Sequence, residues 1–205
     1  MKRRSLAALA ASVLLTVMAG SGACAHDVKK DSGFTKRLFA ADVSKQKKSY
    51  VCFVRKYDAA HLAGHPLQKV SAMTLLINAE IDPEQQSLGY SFRLGVKFRN
   101  RPGDFDSSGS CGSAQVNDET KGKEQMHCGV DCDGGGIAVE MGKTDSTVLV
   151  RLDSIRIWRN NKPDDEGLNL SGGADDRVFR LDRVPLEMCR ALVTDRKELA
   201  AMRTK

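Results

Sequence analysis

The sequence predicts a mainly β protein: a single antiparallel barrel or sandwich of about seven strands with a C-terminal helix. Apolar and polar residues alternate without a fault from Tyr90 to Phe98, as in a half-buried antiparallel strand with its apolar side in and its cationic side out. Further short apolar runs are separated by clusters of Gly, Asn, Asp and Ser, and no internal repeat interrupts residues 50–193. Strands spaced by turn signals, followed by one terminal helix, favour this fold class.

Residues 1–25 have the three parts of a secretory signal peptide. A basic start and an uncharged apolar run precede the small-x-small site that ends at Ala25, so we expect export to the periplasm or the exterior. The apolar run is shorter than the roughly 20 residues that span a bilayer, and no second run follows, so we expect no transmembrane segment in the mature chain. A lipid anchor at Cys24 is the minority alternative, because Ser21 stands where lipoprotein signals usually carry Leu.

The charge of the chain is mostly balanced once the signal peptide is set aside. The net charge is +6, and the signal peptide holds three of the 32 basic residues and no acidic one, which leaves 29 basic and 26 acidic residues and a net charge of +3. Aromatic residues make up 5% of the chain and no basic stripe is interleaved with them, so we expect no nucleic-acid partner. Residues 26–48 are polar and rich in lysine, which predicts a flexible basic tail before one domain at 49–205.

Five cysteines remain after cleavage at Ala25, and export makes disulfides their expected state. Two bridges and one free thiol are the simplest arrangement, although spacing does not give the connectivity. We favour one bridge within the glycine-rich stretch; the two flanking cysteines either close the domain end to end, or one of them is the free thiol. The disulfide candidates are Cys52, Cys111, Cys128, Cys132 and Cys189.

The first half of the domain reads as strands around one short helix. An apolar strand over 50–57 is followed by Asp58, which can cap a helix over 59–63 that Gly64 and Pro66 would end. Strands are then predicted over 70–81 and 90–98. Residues 101–123 are rich in Gly, Ser, Asp and Asn and predict a loop, with a short strand near 114–116.

The second half predicts a hairpin, a long strand and the terminal helix. Alternating runs at 126–130 and 137–141 flank three glycines, which is typical of a hairpin. The alternation over 147–158 changes phase near Asp153 and Ser154, which predicts a bulge. Residues 160–176 predict a polar loop and 178–181 a last strand. Pro185 then suits a helix start, and apolar residues at helical spacing predict a helix over 186–202.

Three segments of the domain carry a resemblance to known sequences. They are Tyr57-Asp58-Ala59-Ala60-His61-Leu62-Ala63-Gly64-His65-Pro66, the stretch Cys-Gly-Val-Asp-Cys-Asp-Gly-Gly-Gly at 128–136, and Phe179-Arg180-Leu181-Asp182-Arg183 with Pro185-Leu186 and Cys189-Arg190. Together they resemble a group of exported proteobacterial proteins that has no assigned activity. The likeness covers about residues 50–190, and it implies export and a single domain without assigning any functional residue.

Two short motifs are candidates for metal binding. His61 and His65 are four residues apart and would share one helix face, a spacing that metal sites use, although Leu62 replaces the glutamate of the zinc-protease motif. His127, Asp131 and Asp133 make up the second motif, because carboxylates two residues apart before glycine can ligate Ca²⁺.

Each motif also has a purely structural interpretation. The histidines can form hydrogen bonds within the fold, and the aspartates can bond backbone N–H groups in a disulfide-pinned turn. The acidic loop 161–176 is open to the same two interpretations, as a Ca²⁺ site or as a solvated loop. An N-terminal His26 would be a further copper ligand, although the polar residues after it argue against a preorganised site.

No motif indicates catalysis, and enzyme activity stays undecided. The chain has no Gly-x-Ser-x-Gly elbow, no phosphate-binding loop and no dinucleotide fingerprint. We expect an exported, non-catalytic β domain that binds a small molecule or an envelope protein. The alternative is a metal-binding protein or metalloenzyme that uses both motifs, and a divalent metal is the cofactor that this alternative would need.

Overall fold

The computed structural model describes residues 33–116, 122–160 and 166–203. The predicted signal peptide, Cys24 and His26 lie outside these residues. The helices are α1 (Gly33–Phe39), α2 (Ala59–Gly64) and α3 (Arg196–Arg203), with 3-10 helices at Val43–Lys45 and Leu186–Leu192. The strands are β1 (Lys48–Lys56), β2 (Val70–Ile81), β3 (Leu88–Phe98), β4 (Asp104–Cys111), β5 (Gln125–Gly129), β6 (Gly135–Met141), β7 (Thr147–Arg159), β8 (Leu168–Ser171) and β9 (Val178–Val184).

The strands form one antiparallel sheet in the order β6-β5-β4-β3-β2-β1-β9-β7-β8. Because β6 also pairs with β7, the sheet closes into a ring. The ring is not a regular barrel. On one edge of β7, β4 pairs with it directly near Phe105 and Arg159, whereas further along the β5–β6 hairpin lies between β4 and β7. On the other edge of β7, β9 pairs with its first half and β8 with its second half. The predicted mainly antiparallel β class is confirmed, but the predicted number of about seven strands was wrong.

The two missed strands lie in segments that the sequence analysis predicted to be loops. β4 falls within 101–123 and β8 within 160–176. β4 looks like a loop because its side chains are small and polar, yet its backbone pairs with β3 and Ser107 donates a hydrogen bond to the carbonyl of Arg156 at 2.7 Å. At Gly109 a Cβ atom would collide with the carbonyl oxygen of Gly129 on the neighbouring strand, so the sequence here is small for packing reasons.

Several local predictions are confirmed. α2 begins after Asp58, whose side chain accepts a hydrogen bond from the backbone N–H of His61 at 2.7 Å. The β5–β6 hairpin is present, and the predicted bulge lies at Asp153: Leu152 pairs with Ile137 and Ser154 with Gly136, so Asp153 has no partner on β6.

The described part of the predicted tail, residues 33–48, differs from the prediction. Phe34 and Leu38 on α1 are buried, with 2% and 0% of their surfaces exposed, and the helix contacts β1 and β6 at one end of the ring. Arg37 pairs with Asp145 at 2.7 Å, and Arg183 donates to the carbonyl of Arg37 at 2.9 Å. Apolar residues four apart supplied a helical signal that the surrounding lysines obscured.

The interior of the ring is filled by side chains. The inward residues of β3, which are Phe92, Leu94 and Val96, are almost fully buried, as the alternation predicted. They belong to one continuous cluster to which every strand of the ring contributes. A ligand would therefore bind at an end of the ring or on its outer surface.

The C-terminal segment covers the outer face of β1, β2 and β3. The predicted single helix 186–202 is in fact a 3-10 helix and a separate α3, because Asp195 starts a new helix by accepting the N–H of Glu198 at 2.7 Å. A second apolar cluster forms underneath and includes Leu76, Val193 and Met202. Gly95 on β3 leaves room for Leu192, whose Cδ2 atom would be 2.8 Å from a Cβ atom at that position.

Glu198 fixes α3 to the sheet. Its side chain is 10% exposed, and it accepts hydrogen bonds from Arg93 at 2.8 and 3.2 Å and from the Tyr50 hydroxyl at 3.1 Å. Burial alone would raise the pKa of Glu198, but the hydrogen bonds and charge of Arg93 outweigh it, and the pKa lies below its ordinary value. The cationic outer face of β3 is thus an anchoring surface.

Two disulfides are present, in agreement with the sequence analysis. Cys52 on β1 is bonded to Cys189, 137 residues away, and Cys111 is bonded to Cys128, its direct neighbour across β4 and β5. Cys132 is free and exposed. The bridges indicate an oxidising compartment. Within the described ranges, no helix combines the length and the apolar character needed to cross a membrane.

Replacing Cys52 and Cys189 with Ala should lower the free energy of unfolding by roughly 3–5 kcal/mol, because the bridge restricts a very long loop of the unfolded chain. Urea denaturation of the oxidised protein measures the effect. The Cys111→Ala, Cys128→Ala variant is the control with the short loop and should lose less. An unfolding midpoint that is unchanged by removal of the Cys52–Cys189 bridge would contradict this account.

Candidate functional site

His61 and His65 form a stack of rings with Tyr57. The ring centroids of Tyr57 and His61 are 4.5 Å apart and those of the two histidines 4.3 Å apart, with nearly parallel planes. The lone pairs of an imidazole lie in the plane of its ring, so parallel stacked rings do not aim them at one common point. The spacing predicted both residues on one helix face, but α2 ends at Gly64 and His65 is its non-helical C-cap, so the stack joins the helix to the residue that follows it.

The stack connects α2 to the segment 65–70. His61 Nε2 is 3.0 Å from Gln68 Oε1, and the buried Gln68 side chain donates to the carbonyl of Val70 at 2.7 Å. His65 Nδ1 lies 3.9 Å from Asp175 Oδ1. These contacts hold the chain between α2 and β2 against the sheet.

Two carboxylates of the predicted acidic loop bond to the backbone of the same segment. Asp175 accepts the N–H of Leu67 at 3.1 Å, and the fully buried Asp176 accepts the N–H groups of Lys69 at 2.7 Å and Val70 at 3.3 Å. The two aspartates thus fix the backbone of segment 66–70 through a network of hydrogen bonds.

The second predicted metal motif lies elsewhere on the chain. His127 is on the outer face of β5, whereas Asp131 and Asp133 are exposed in the turn before β6, where Cys132 and Asp133 have positive φ values of 56° and 61°. Among the described residues, no group of three or more His, Cys, Asp or Glu side chains is arranged to hold a metal ion. Metal binding by His61, His65, His127, Asp131 and Asp133 stays a prediction.

A cavity of about 470 Å³ opens at the end of the ring near α2, between the segments 66–69, 98–101 and 168–171. We call it the β8 slot, because the edge of β8 that does not face β7 forms one wall. Its apolar surface comes from Phe98, Leu168 and Leu170, and its polar rim includes Lys69 and Arg101. Sequence analysis missed it because β8 was predicted as loop.

A second cavity, of about 570 Å³, lies on the outer surface of β5, β6 and β7 beside the start of β9. We call it the Arg151 groove. His127, Arg151, Asp153 and Arg177 surround it, and Ala138 and Gly136 form part of its floor. Of the five candidate metal ligands, only His127 lines this groove.

Glu140 sits beside the groove with only 7% of its side chain exposed. It accepts hydrogen bonds from Lys123 at 2.6 Å and from Arg151 Nε and Nη2 at 3.2 and 3.1 Å. Burial alone would raise the pKa of Glu140, but the hydrogen bonds from Lys123 and Arg151 outweigh it, and the pKa is lowered. Glu140 therefore stays ionised and holds Arg151 in place.

Asp106 on β4 is a further carboxyl with a changed pKa, which burial raises. Its direct neighbours across the sheet are Gly95 and Trp158, and neither supplies a nucleophile or a proton relay.

Comparison with known proteins found no match to the chain among family models, curated proteins or solved structures.

Replacing Glu140 with Gln should lower the free energy of unfolding at pH 7 by roughly 1–3 kcal/mol, the usual value of hydrogen bonds to a charged group. The folded pKa of Glu140 lies below the unfolded value of about 4.3, so its contribution is present above that pH and disappears as the pH falls through the folded pKa. The difference between wild type and variant should therefore shrink as the pH falls from about 5 through the unfolded pKa and towards the lower folded pKa.

Urea denaturation over this pH range measures the difference. Glu84→Gln, in the exposed turn between β2 and β3, is the matched control and should leave stability unchanged. A difference between Glu140→Gln and wild type that stays constant with pH would contradict the role given to the carboxylate.

Proposed function

We propose that this chain is an exported, non-catalytic binding domain whose ligand lies in the β8 slot. The ligand is an anionic small molecule with an apolar body. The observation that carries the proposal is the combination of an apolar floor and cations on the rim of the slot.

The apolar part of the slot supports an apolar ligand body. Phe98 packs edge-on against Phe105 at 5.2 Å, which fixes its ring at the floor. Leu67 on the rim is 64% exposed, an unusual position for a large apolar side chain beside a cavity. A ligand that covers these side chains would gain about 25 cal/mol for each Å² of apolar surface removed from water.

The rim supports a negative charge on the ligand. Neither Lys69 nor Arg101 forms an ion pair within the described part of the chain. Arg99 has a structural task, because its Nη1 donates to the carbonyls of Leu62 at 3.1 Å and His65 at 3.3 Å. Arg159 lies in an adjoining cavity that shares Arg101 and Leu168 with the slot. Glu166 also lines that cavity, but its one negative charge is outnumbered by the positive charges of Arg101 and Arg159.

The slot is preorganised and has the size of a small-molecule site. Asp175, Asp176 and the His61–Gln68 contact fix the wall formed by 66–69 before any ligand arrives, which reduces the entropy cost of binding. Its volume of about 470 Å³ falls in the range of about 300–1,000 Å³ typical of ligand pockets. The disulfides support an exported setting, and the signal peptide read from residues 1–25 agrees with it.

Isothermal titration calorimetry with dodecanoate, below its micelle concentration, tests the proposal. We expect saturable binding of one dodecanoate, and at least about ten-fold weaker binding of dodecylamine, which has the same chain and the opposite charge. Equal affinity for the two amphiphiles, or no saturable binding of dodecanoate, would contradict the proposal.

Charge reversal locates the site. Lys69→Glu and Arg101→Glu should each weaken dodecanoate binding by about ten-fold or more, because a charge-assisted contact is lost and a repulsive one added. Arg196→Glu, at an exposed position of α3, is the matched control and should bind as wild type does. If the control weakens binding as much as the slot variants, the attraction is general rather than local.

A further inference from the structure

We propose that the Arg151 groove is a second, independent ligand site, which binds a phosphate group between His127 and Arg151 above Ala138. The inference does not depend on the β8 slot, which lies at the end of the ring and is lined by different residues.

The register of the sheet places the proposed ligands in one row. His127 on β5 is opposite Ala138 on β6, and Ala138 is opposite Arg151 on β7. Neighbouring strands are about 4.8 Å apart, so the backbones that carry His127 and Arg151 are about 10 Å apart. The small Ala138 side chain between them leaves space for a tetrahedral anion that both longer side chains can reach.

The guanidinium of Arg151 is held ready for such an anion. Its Nε and Nη2 atoms both donate to Oε2 of the buried Glu140. An arginine has five N–H donors in a fixed fork, so both hydrogens of Nη1 and one of Nη2 remain for an acceptor. Because Lys123 also neutralises Glu140, the Glu140–Lys123–Arg151 cluster keeps one net positive charge.

Arg177 adds a second cation to the groove. The backbone carbonyl of Arg177 accepts the N–H of Leu152, which anchors the residue beside the bulge on β7. Its side chain has no ion-pair partner among the residues that the structure describes. Asp153 is the opposing charge in the groove, so with a neutral His127 the groove and its Glu140 cluster carry a net charge of +1.

The glycine floor keeps the groove open. A Cβ atom at Gly136 would collide with the carbonyl oxygen of Cys128, so this position admits only glycine without a shift of the backbone. Gly129, its partner on β5, likewise carries no side chain. Donors around an open floor, with one arginine fixed by a buried carboxylate, suit the several acceptor oxygens of phosphate.

Titration of ¹⁵N-labelled protein with inorganic phosphate, followed by NMR, tests the site. We expect saturable shifts of the Ala138 amide and the Arg151 Nε–H with a Kd on the order of 1 mM. Glycerol 3-phosphate is the second probe. Tighter binding than inorganic phosphate would identify the ligand as a phosphomonoester, and equal or weaker binding would identify it as the free anion.

Three variants separate the site from its surroundings. Arg177→Gln and His127→Ala should each weaken phosphate binding by about five- to ten-fold, since the first removes a positive charge and the second removes the ring N–H donor. Ala138→Val should abolish binding by filling the space, while the folded state is kept because β-branched residues suit strands. Arg196→Gln on α3 is the control and should titrate as wild type does.

The outcomes that would overturn the proposal are equally concrete. They are the absence of saturable shifts at 20-fold the expected Kd, unchanged binding in all three groove variants, or an equal loss in Arg196→Gln. Thermal unfolding of Ala138→Val shows whether its loss of binding is local, and a variant that is folded but still binds phosphate would count against the position assigned to the anion.

Discussion

The sheet depends on β7 more than on any other strand. β7 pairs with β6 and β4 along one edge and with β9 and then β8 along the other, so its backbone hydrogen bonds close the ring. The bulge at Asp153 makes this possible. Before it, Val150 and Leu152 face the core; after it, Ile155 and Ile157 do. Without the extra residue, the second half of β7 would turn its apolar side chains to solvent.

Both proposed sites follow from that single strand. The change of partner from β9 to β8 takes place at the bulge, where Leu152 donates to Arg177 and Gly172 donates to Asp153. The Arg151 groove lies at this change of partner, and the β8 slot lies beyond the outer edge of the added strand. The remaining elements act as supports: α1 fills one end of the ring, and Glu198 holds α3 on its outer face.

The sequence predicts this fold where side-chain pattern decides the structure. The alternation in β3, the hairpin around Gly134–Gly136 and the bulge in β7 are all consequences of which side chains must be buried, and they were found. β4 was missed because it lacks a continuous apolar face. Ser107 donates a hydrogen bond to the backbone of β7, and Gly109 leaves space for the backbone of β5. α1 was missed because its apolar residues, Phe34, Leu38 and Phe39, lie within the lysine-rich stretch 26–48.

The sites were harder to predict than the fold. Glu140, Arg151 and Arg177 come from different parts of the sequence, and only the register of β6, β7 and β9 brings them together. No local motif encodes that register. His61 and His65 show the opposite case: their spacing brings the two rings together although His65 lies just past α2, and the ring of Tyr57 and the amide of Gln68 determine what that proximity is used for.

The Cys52–Cys189 bridge also has a consequence for the order of events as the chain is made and folds. β1 emerges early, but both of its late partners, β9 and Cys189, emerge more than 120 residues afterwards. Until then Cys52 has no native partner, whereas Cys111 and Cys128 are only 17 residues apart in sequence and can form their bridge early. Early formation of the short bridge removes two wrong partners for Cys52 and leaves Cys132 as the third, so it favours the native pairing before the last strand has been made.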